Sequence, residues 1–212
     1  MSDPLSKVLG DYDEFIGRVH KALCDHGLNP LERKYELDHI CYRCETTIQY
    51  QLLLKRLVPE FGTLLIESMI GGRPIGTVVL HDPIVSRGYQ VCAVEVPCPK
   101  SGRPYSQGLE HVEFVIGQVM DGFHHTIALQ RFVTQCKDEN LPIADLFDYS
   151  ALDKETNADV SVNFVEEGFV VKFHQRPLLE VCRAELKDGD FEEVPEGYFE
   201  QSLKVKVHES NL

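Results

Sequence analysis

The sequence predicts an α+β fold: two paired βαβββ modules form a curved mixed sheet around a central cavity, preceded by an N-terminal helix. Two stretches of the chain, residues 37–97 and 108–185, show the same succession of strand-like and helix-like apolar spacing. Each stretch opens with an acidic residue followed by histidine, at Asp38-His39 and Glu110-His111. A segment rich in proline and glycine separates the two. We interpret the stretches as an internal structural duplication.

The composition excludes several classes of protein. The 212 residues, 43% of them hydrophobic, suffice for an apolar interior without disulfide bonds. A net charge of −13 argues against a nucleic-acid partner. No apolar run approaches the roughly 18 to 20 residues that cross a bilayer, and the first residues lack the features of a secretory signal. We therefore expect a cytoplasmic protein, a monomer or homodimer, with a small-molecule ligand and no membrane partner.

The first part of the chain contains the N-terminal helical element and the first module. In residues 1–30, apolar side chains recur at offsets of three and four, which predicts an amphipathic helix. A strand from Leu37 to Cys44 follows, and Thr46 or Thr47 is a suitable helix cap. Gly71-Gly72 predicts a two-residue hairpin loop between the next two strands. The fourth strand runs from Gly88 to Val96 and ends at Pro97.

The second module repeats this order after the linker. Its predicted strand, helix and three further strands lie at about 109–116, 123–137, 143–149, 158–165 and 168–174. A closing helix is predicted at 178–185. Residues 186–212 are acidic and contain few apolar residues, which indicates a solvated or partly disordered tail.

The seven cysteines are best explained as free thiols, because their number is odd and the chain shows no secretory features. Only Cys41 and Cys44 are close in sequence. Side chains alternate along a strand, so an offset of three directs these two sulfurs to opposite faces. We therefore do not expect them to bind a metal ion together.

Strand alternation places one potential metal ligand on each of four strands. If the modules pair about a pseudo-twofold axis, the first and fourth strands of both modules meet in one cavity. The four residues that this arrangement gathers are His39, Glu95, His111 and His174. Imidazole and carboxylate ligands suit Fe(II), Mn(II), Ni(II), Co(II) or Zn(II) without distinguishing them. The alternative is that each histidine is a hydrogen-bonded core residue.

Several blocks of the sequence resemble the YecM family within the vicinal oxygen chelate superfamily. The blocks are DHICYRC (38–44), ESMIGGRPI (67–75), HDP (81–83), EVPCP (95–99), GLEHVEFVI (108–116) and KFH (172–174). The resemblance runs from about residue 10 to 182. It implies a bimodular sheet closed around a divalent-metal site, with His39, Glu95 and His111 in the superfamily's metal-binding positions.

One position departs from the superfamily pattern. Many superfamily enzymes carry a glutamate on the last strand. We assign His174 of this chain to that position. Glyoxalase-type chemistry, which uses that carboxylate as a base, is therefore in doubt. The YecM resemblance itself implies no particular reaction.

Glu113 and Arg43 are the candidate catalytic residues. Glu113 lies on the same face as His111 and is positioned to act as a general base, or alternatively to form an ion pair with Arg43 or Lys172. Arg43 is suited to bind a substrate carboxylate through its two parallel N–H groups, or to balance the charge of Glu95 or Glu113.

Three hypotheses for the function follow. The first is a metalloenzyme of the isomerase, lyase or dioxygenase type that acts on a small oxygen-rich organic acid or dicarbonyl. The second is a non-catalytic small-molecule-binding protein of the same fold. The third is an interaction module that uses its acidic tail. The sequence leaves open whether the protein is an enzyme.

Overall fold

The computed structural model describes residues 3–120, 123–126, 128–154 and 157–200. An eight-stranded curved sheet and a separate two-stranded ribbon make up its β-structure. Two helices precede the sheet, α1 (Ser6–Leu9) and α2 (Tyr12–Asp25). The Asp11 side chain caps α2 by accepting a hydrogen bond from the backbone N–H of Glu14 at 2.9 Å.

The first module has the predicted order of one strand, one helix and three strands. Its elements are β1 (Glu36–Arg43), α3 (Thr47–Glu60), β2 (Gly62–Ile70), β3 (Arg73–Ser86) and β4 (Tyr89–Pro97). Thr46 caps α3 in a capping box with Gln49, which confirms the predicted cap. Gly71 and Gly72 have φ of 58° and 80° and join the paired residues at the ends of β2 and β3, which confirms the two-residue hairpin loop.

The second module contains an additional ribbon. It comprises β5 (Gly108–Val115), β6 (Gly117–Met120), β7 (Phe123–Thr126), α4 (Leu129–Asp138), a 3-10 helix (Pro142–Leu146), β8 (Phe147–Asp148), β9 (Asp159–Phe164) and β10 (Phe169–His174). Helix α5 (Leu178–Asp188) follows and confirms the predicted closing helix.

Two predicted elements of this module are wrong in extent. The helix predicted at 123–137 begins only at Leu129, because residues 123–126 pair with β6 as an antiparallel strand. The strand predicted at 143–149 is mostly a 3-10 helix, and only Phe147 and Asp148 pair with β9. Pro142 explains the second difference, since its fixed φ favours the first position of a helix.

The sheet has the strand order β2-β3-β4-β1-β5-β10-β9-β8. Strands β1 and β5 pair antiparallel at its centre. β4 is parallel to β1 on one side, and β10 is parallel to β5 on the other. Each module therefore adds its strands outward from the centre in the same order, which confirms two paired βαβββ modules.

The central strand pair contains two β-bulges. In the register of β1 and β5, Leu37 pairs with Phe114 and His39 with Glu113, so Asp38 is an extra residue. Cys41 pairs with His111 and Tyr42 with Leu109, so Glu110 is the extra residue of the other strand. A bulge redirects the side chain of the extra residue. The acid that precedes each of the two central histidines therefore occupies the bulge position.

The apolar core lies on the sheet face opposite these histidines. Phe114 and Phe173, on β5 and β10, stack with ring centres 6.0 Å apart. Phe132 of α4 packs on Phe173 at 4.9 Å, and Phe15 of α2 contacts Phe169 at 6.0 Å. Helices α2 and α4 thus cover one face of the sheet and leave the other face for a site.

Part of the predicted tail contacts the first module. The Met69 N–H donates to the Glu192 carbonyl at 2.8 Å, and Ser68 forms a β-bridge with Glu193. Phe199 stacks on Tyr50 with ring centres 5.8 Å apart. The remainder of the predicted tail, 201–212, lies outside the described residues. Within the described ranges, no helix combines the length and apolarity that crossing a membrane requires.

Candidate metal centre

The two modules enclose a cavity of about 420 Å³ on the face opposite the core, which we call the central cup. Strands of both modules and helix α5 line it. Five of the six predicted site residues are among its lining residues: His39, Arg43, Glu95, His111 and Glu113. The sixth, His174, is fully buried beside His39, with ring centres 6.1 Å apart.

The bulge at Asp38 determines the orientation of His39. His39 Nδ1 lies 2.7 Å from Asp38 Oδ2, and the same oxygen accepts the backbone N–H of Leu178 at the start of α5 at 2.9 Å. Because a carboxylate accepts hydrogen bonds, Nδ1 carries the proton toward Asp38. His39 Nε2 is therefore directed toward the central cup.

His111 is oriented in the same way by the second bulge. Its Nδ1 lies 2.7 Å from Glu110 Oε2, which also accepts Arg43 Nε at 2.6 Å. A carboxylate behind an imidazole fixes the ring and makes it a better ligand, as is common in metal sites. The repeated acid-histidine dipeptide thus gives the same local geometry in both modules.

The three imidazoles surround one carboxylate, and we call His39, His111, Glu113 and His174 the His–Glu cluster. Glu113 Oε1 lies 3.6 Å from His39 Nε2 and 3.3 Å from His111 Nε2. Glu113 Oε2 lies 3.9 Å from His174 Nε2. His39, His111 and Glu113 each offer a ligand atom, and these atoms lie within 4.8 Å of one another.

The donors of this cluster fit a divalent cation. His39 Nε2 and His174 Nε2 are buried and have no hydrogen-bond partner among the described residues. A buried polar atom without a partner is costly, and a metal ion that accepts its lone pair removes the cost. Two or three imidazoles with one carboxylate form a common donor set for transition metals.

Glu95 lies on the other side of His111. Its Oε2 is 3.4 Å from His111 Nε2, and it forms a group of potential ligands with Cys41 and His111. None of the groups found among the described residues combines Glu95 with His39. The structure therefore brings three of the four predicted ligands, His39, Glu95 and His111, to the lining of one cavity and buries His174 beside His39, but it centres the imidazoles on Glu113.

The strand register corrects the assignment of His174 as the counterpart of Glu95. Glu95 pairs with Cys41, while in the second module Lys172 pairs with Glu113 and His174 with Val115. Since the bulges make His39 and His111 equivalent, the counterpart of Glu95 is Lys172. Lys172 and His174 share one strand face, so the alternation of side chains alone does not distinguish them.

The ammonium group of Lys172 lies against the His–Glu cluster. Lys172 Nζ is 2.5 Å from Glu113 Oε1 and 3.2 Å from His111 Nε2. Burial works against this charge, but Glu113 and Glu95 outweigh it and raise the pKa of Lys172. The cluster thus has a cation from the chain itself next to two potential ligand atoms.

The carboxylates control the protonation of the cluster. Burial disfavours the imidazolium form of His39, yet Glu113 and Asp38 raise its pKa to about 9. Burial disfavours the ionised form of Glu113 as well, but Lys172 and His39 hold its pKa well below the ordinary value. For His174, burial prevails and lowers the pKa. Negative charge in the cup is therefore balanced by His39 and Lys172.

Three contributors to the site have no role assigned from the sequence: Asp38, Glu110 and Cys41. The repeated acid-histidine dipeptide is the signal for the first two, although strand alternation predicts that neighbours point to opposite faces. The bulges interrupt this alternation at Asp38 and Glu110, so each acid can contact the histidine that follows it. For Cys41, the signal is its position two residues after His39 on a cup-facing strand.

Comparison with known proteins gives a family match over most of the chain. The sequence model of a family described as YecM protein matches residues 4–185. Protein YecM of Escherichia coli (strain K12) is 34% identical over 116 residues, which are 54% of this chain and 59% of that protein. The aligned part of the chain thus spans less than two thirds of this curated relative.

The chain is also similar to solved structures. A structure described as Structural Genomics, Protein EC4020 is 27% identical, has a TM-score of 0.64 and covers 86% of this chain and 93% of its own. A Streptomyces coelicolor methylmalonyl-CoA epimerase is 12% identical with a TM-score of 0.43, covering 68% of this chain and 95% of its own.

Proposed function

The chain belongs to the YecM family, and from this premise and the geometry of the central cup we propose a divalent-metal-binding protein that acts on a small oxygen-rich organic acid or dicarbonyl. The observation that carries the proposal is the pair of buried, unpartnered Nε2 atoms of His39 and His174, which face the Glu113 carboxylate. His111 Nε2 completes the set at 3.3 Å from Glu113.

We propose His39, His111 and Glu113 as the principal ligands, with His174 and Glu95 as further ligands. Asp38 and Glu110 hold the Nδ1–H groups of the two imidazoles, so that loss of the Nε2 proton on metal binding leaves each Nε2 lone pair directed at the ion. A divalent ion here would polarise a substrate oxygen and stabilise an enolate or oxyanion. An isomerase, a lyase or a dioxygenase would use such chemistry.

The chain's own carboxylates would move the proton in such a reaction. Glu95 and Glu113 flank His111 Nε2 at 3.4 Å and 3.3 Å. When one of these two carboxylates binds the ion, the other is placed to accept a proton from a substrate carbon in the cup. Arg43 lines the same cavity and would hold the substrate in position.

Metal titration of the purified full chain tests the proposal. After chelation, Mn²⁺, Fe²⁺, Co²⁺, Ni²⁺ and Zn²⁺ are titrated separately by calorimetry, and bound metal is measured after gel filtration. We expect one ion per chain and a large loss of affinity in His111→Ala and His39→Ala. His81→Ala, at an exposed histidine outside the cup, is the matched control. Wild-type protein without stoichiometric metal would refute the proposal.

Lys172 supports a second candidate function, metal-free binding of a small acid. Its ammonium group already supplies positive charge at 3.2 Å from His111 Nε2 and 2.5 Å from Glu113 Oε1. An ammonium ion there attracts an anionic oxygen without any metal. If chelated wild-type protein binds a small acid and Lys172→Met abolishes that binding, this second function replaces the first.

A further inference from the structure

Tyr105 contacts two arginines that line the central cup, Arg43 and Arg73. The Cζ atom of Arg43 lies 5.0 Å from the centre of the Tyr105 ring, and Arg73 Nη1 donates to Tyr105 Oη at 3.4 Å. Arg43 ends β1, Arg73 begins β3, and Tyr105 belongs to the linker between the modules. We call these three residues the arginine end of the cup. They bring two like charges close together, and among the described residues an ion pair with Glu110 compensates only the charge of Arg43.

Both guanidinium groups have an unused donor. Arg43 Nη1 and Arg73 Nε are buried and have no hydrogen-bond partner within the described ranges. Arg43 uses Nε for the ion pair with Glu110 at 2.6 Å. In the described part of the chain, no ion pair involves Arg73, and its guanidinium group donates to the Tyr105 hydroxyl.

Internal charge balance does not explain this arrangement. The chain has 34 acidic residues against 21 basic ones, so acidic partners are abundant. Yet both arginines line a cavity with N–H groups that no carboxylate of the described residues accepts. A planar guanidinium group matches the two oxygens of a carboxylate. These N–H groups are therefore suited to an anion that enters the cup.

We propose that the arginine end is a carboxylate subsite and that the ligand of the central cup is a small dicarboxylate. This inference rests on the proposed function, because one carboxylate would lie at the His–Glu cluster and the other at Arg43 and Arg73. Arg43 is two residues beyond Cys41, whose cross-strand partner is His111. Two residues of a strand span about 7 Å, which long arginine side chains and a short carbon chain bridge.

Binding of succinate and butyrate by the full chain tests this subsite. The two acids have the same number of carbons and differ in the second carboxylate. Calorimetry with and without Mn²⁺ should show that wild-type protein binds succinate about tenfold or more tightly, the usual effect of a charge-assisted hydrogen bond. Arg73→Met should reduce succinate affinity to that of butyrate and leave butyrate affinity unchanged.

Two further variants make the result specific. Arg87→Met is the matched control, because Arg87 pairs with Asp13 at 2.8 Å outside the cup, and it should bind both acids as wild type does. Tyr105→Phe keeps the ring against Arg43 but removes the oxygen that Arg73 contacts, so succinate affinity should fall. This variant also serves if thermal melting shows that Arg73→Met is misfolded.

The outcomes separate the subsite from the metal centre. Equal affinity of the wild type for both acids, binding of neither, or unchanged succinate affinity in Arg73→Met and Tyr105→Phe would overturn the subsite. Mn²⁺ titration of the same samples should give wild-type affinity in Arg73→Met. If wild-type protein binds no Mn²⁺, the metal proposal fails, whereas a succinate preference that Arg73→Met abolishes still supports the subsite.

Discussion

At the scale of single residues, a carboxylate from the preceding residue orients each of the two central histidines. Asp38 and Glu110 each contact the Nδ1 atom of the following histidine at 2.7 Å. In a regular strand, neighbouring side chains point to opposite faces, so neither acid could contact the histidine that follows it. Both contacts therefore depend on the bulges. The orientation of the imidazoles therefore depends on two residues that would not themselves bind an ion.

Replacing these acids by amides should weaken metal binding without removing a ligand. We expect Glu110→Gln to lower Mn²⁺ or Zn²⁺ affinity by about 10- to 100-fold, the usual effect of losing the carboxylate behind a metal-binding imidazole. Calorimetric titration measures this change. Glu67→Gln, which alters a carboxylate that accepts the Tyr50 hydroxyl outside this cluster, is the control. Equal losses in both variants would contradict the orienting role.

Removing the charge of Lys172 should have the opposite effect. Lys172 Nζ lies 3.2 Å from His111 Nε2, so a divalent ion at that nitrogen meets like-charge repulsion. We expect Lys172→Met to bind Mn²⁺ more tightly than wild type, by about tenfold or more, and Lys172→Arg to stay close to wild type. Weaker metal binding in Lys172→Met would show that the ammonium group supports the ion rather than competing with it.

At the scale of elements, the β2–β3 hairpin depends on a close approach of backbones. A Cβ atom added at Gly62, the first residue of β2, would lie 2.4 Å from the Val79 carbonyl oxygen and 2.7 Å from a Val78 methyl carbon. Both neighbours belong to the paired strand and have little freedom to move. Gly62 is therefore required by space rather than by a positive φ.

Gly62→Ala should destabilise the protein by about 1 to 3 kcal/mol, the usual cost of overpacking. Urea unfolding followed by circular dichroism measures this change. Gly17→Ala in α2 is the matched control: the nearest atoms to its added methyl belong to the flexible Arg87 side chain, at 3.4 Å, and alanine favours a helix. A Gly62→Ala protein as stable as Gly17→Ala would contradict the argument.

The sequence predicts those elements whose signals are local. The Gly71-Gly72 turn, the α3 cap and the closing helix depend on a few neighbouring residues, and the structure confirms them. The helix predicted at 123–137 is too long because pairing between β6 and β7 overrides the apolar spacing at its start. The bulges and the equivalence of Glu95 with Lys172 are properties of strand register, which a partner strand determines.

At the scale of the whole molecule, the reactivity of the cysteine thiols shows how completely the chain is folded. Burial raises the pKa of Cys136 to about 11, and likewise the pKa of Cys182 to about 11. Cys24 and Cys92 are only partly buried. A thiolate is the reactive form of cysteine. Burial raises the pKa of Cys24 and Cys92 as well, so their accessibility is what favours reaction at these two thiols.

At pH 8 we expect iodoacetamide to modify Cys24 and Cys92 first and the five buried cysteines only after unfolding, as measured by mass spectrometry of digested protein. The folded state binds the protons of Cys136 and Cys182 more tightly than the unfolded state. Their contribution to stability is therefore present below about pH 9 and lost as the pH rises through 11. Rapid modification of Cys136 at pH 8 would contradict the described packing.

The single antiparallel pair of β1 and β5 joins the halves of the sheet, and the ligand atoms lie across it. His39 is on one side of that seam, and His111 and Glu113 are on the other. A metal ion or ligand bound by residues of both β1 and β5 would hold the two strands together. Separating the halves of the sheet would then require its release. Its binding free energy then adds to the resistance of the whole chain to unfolding.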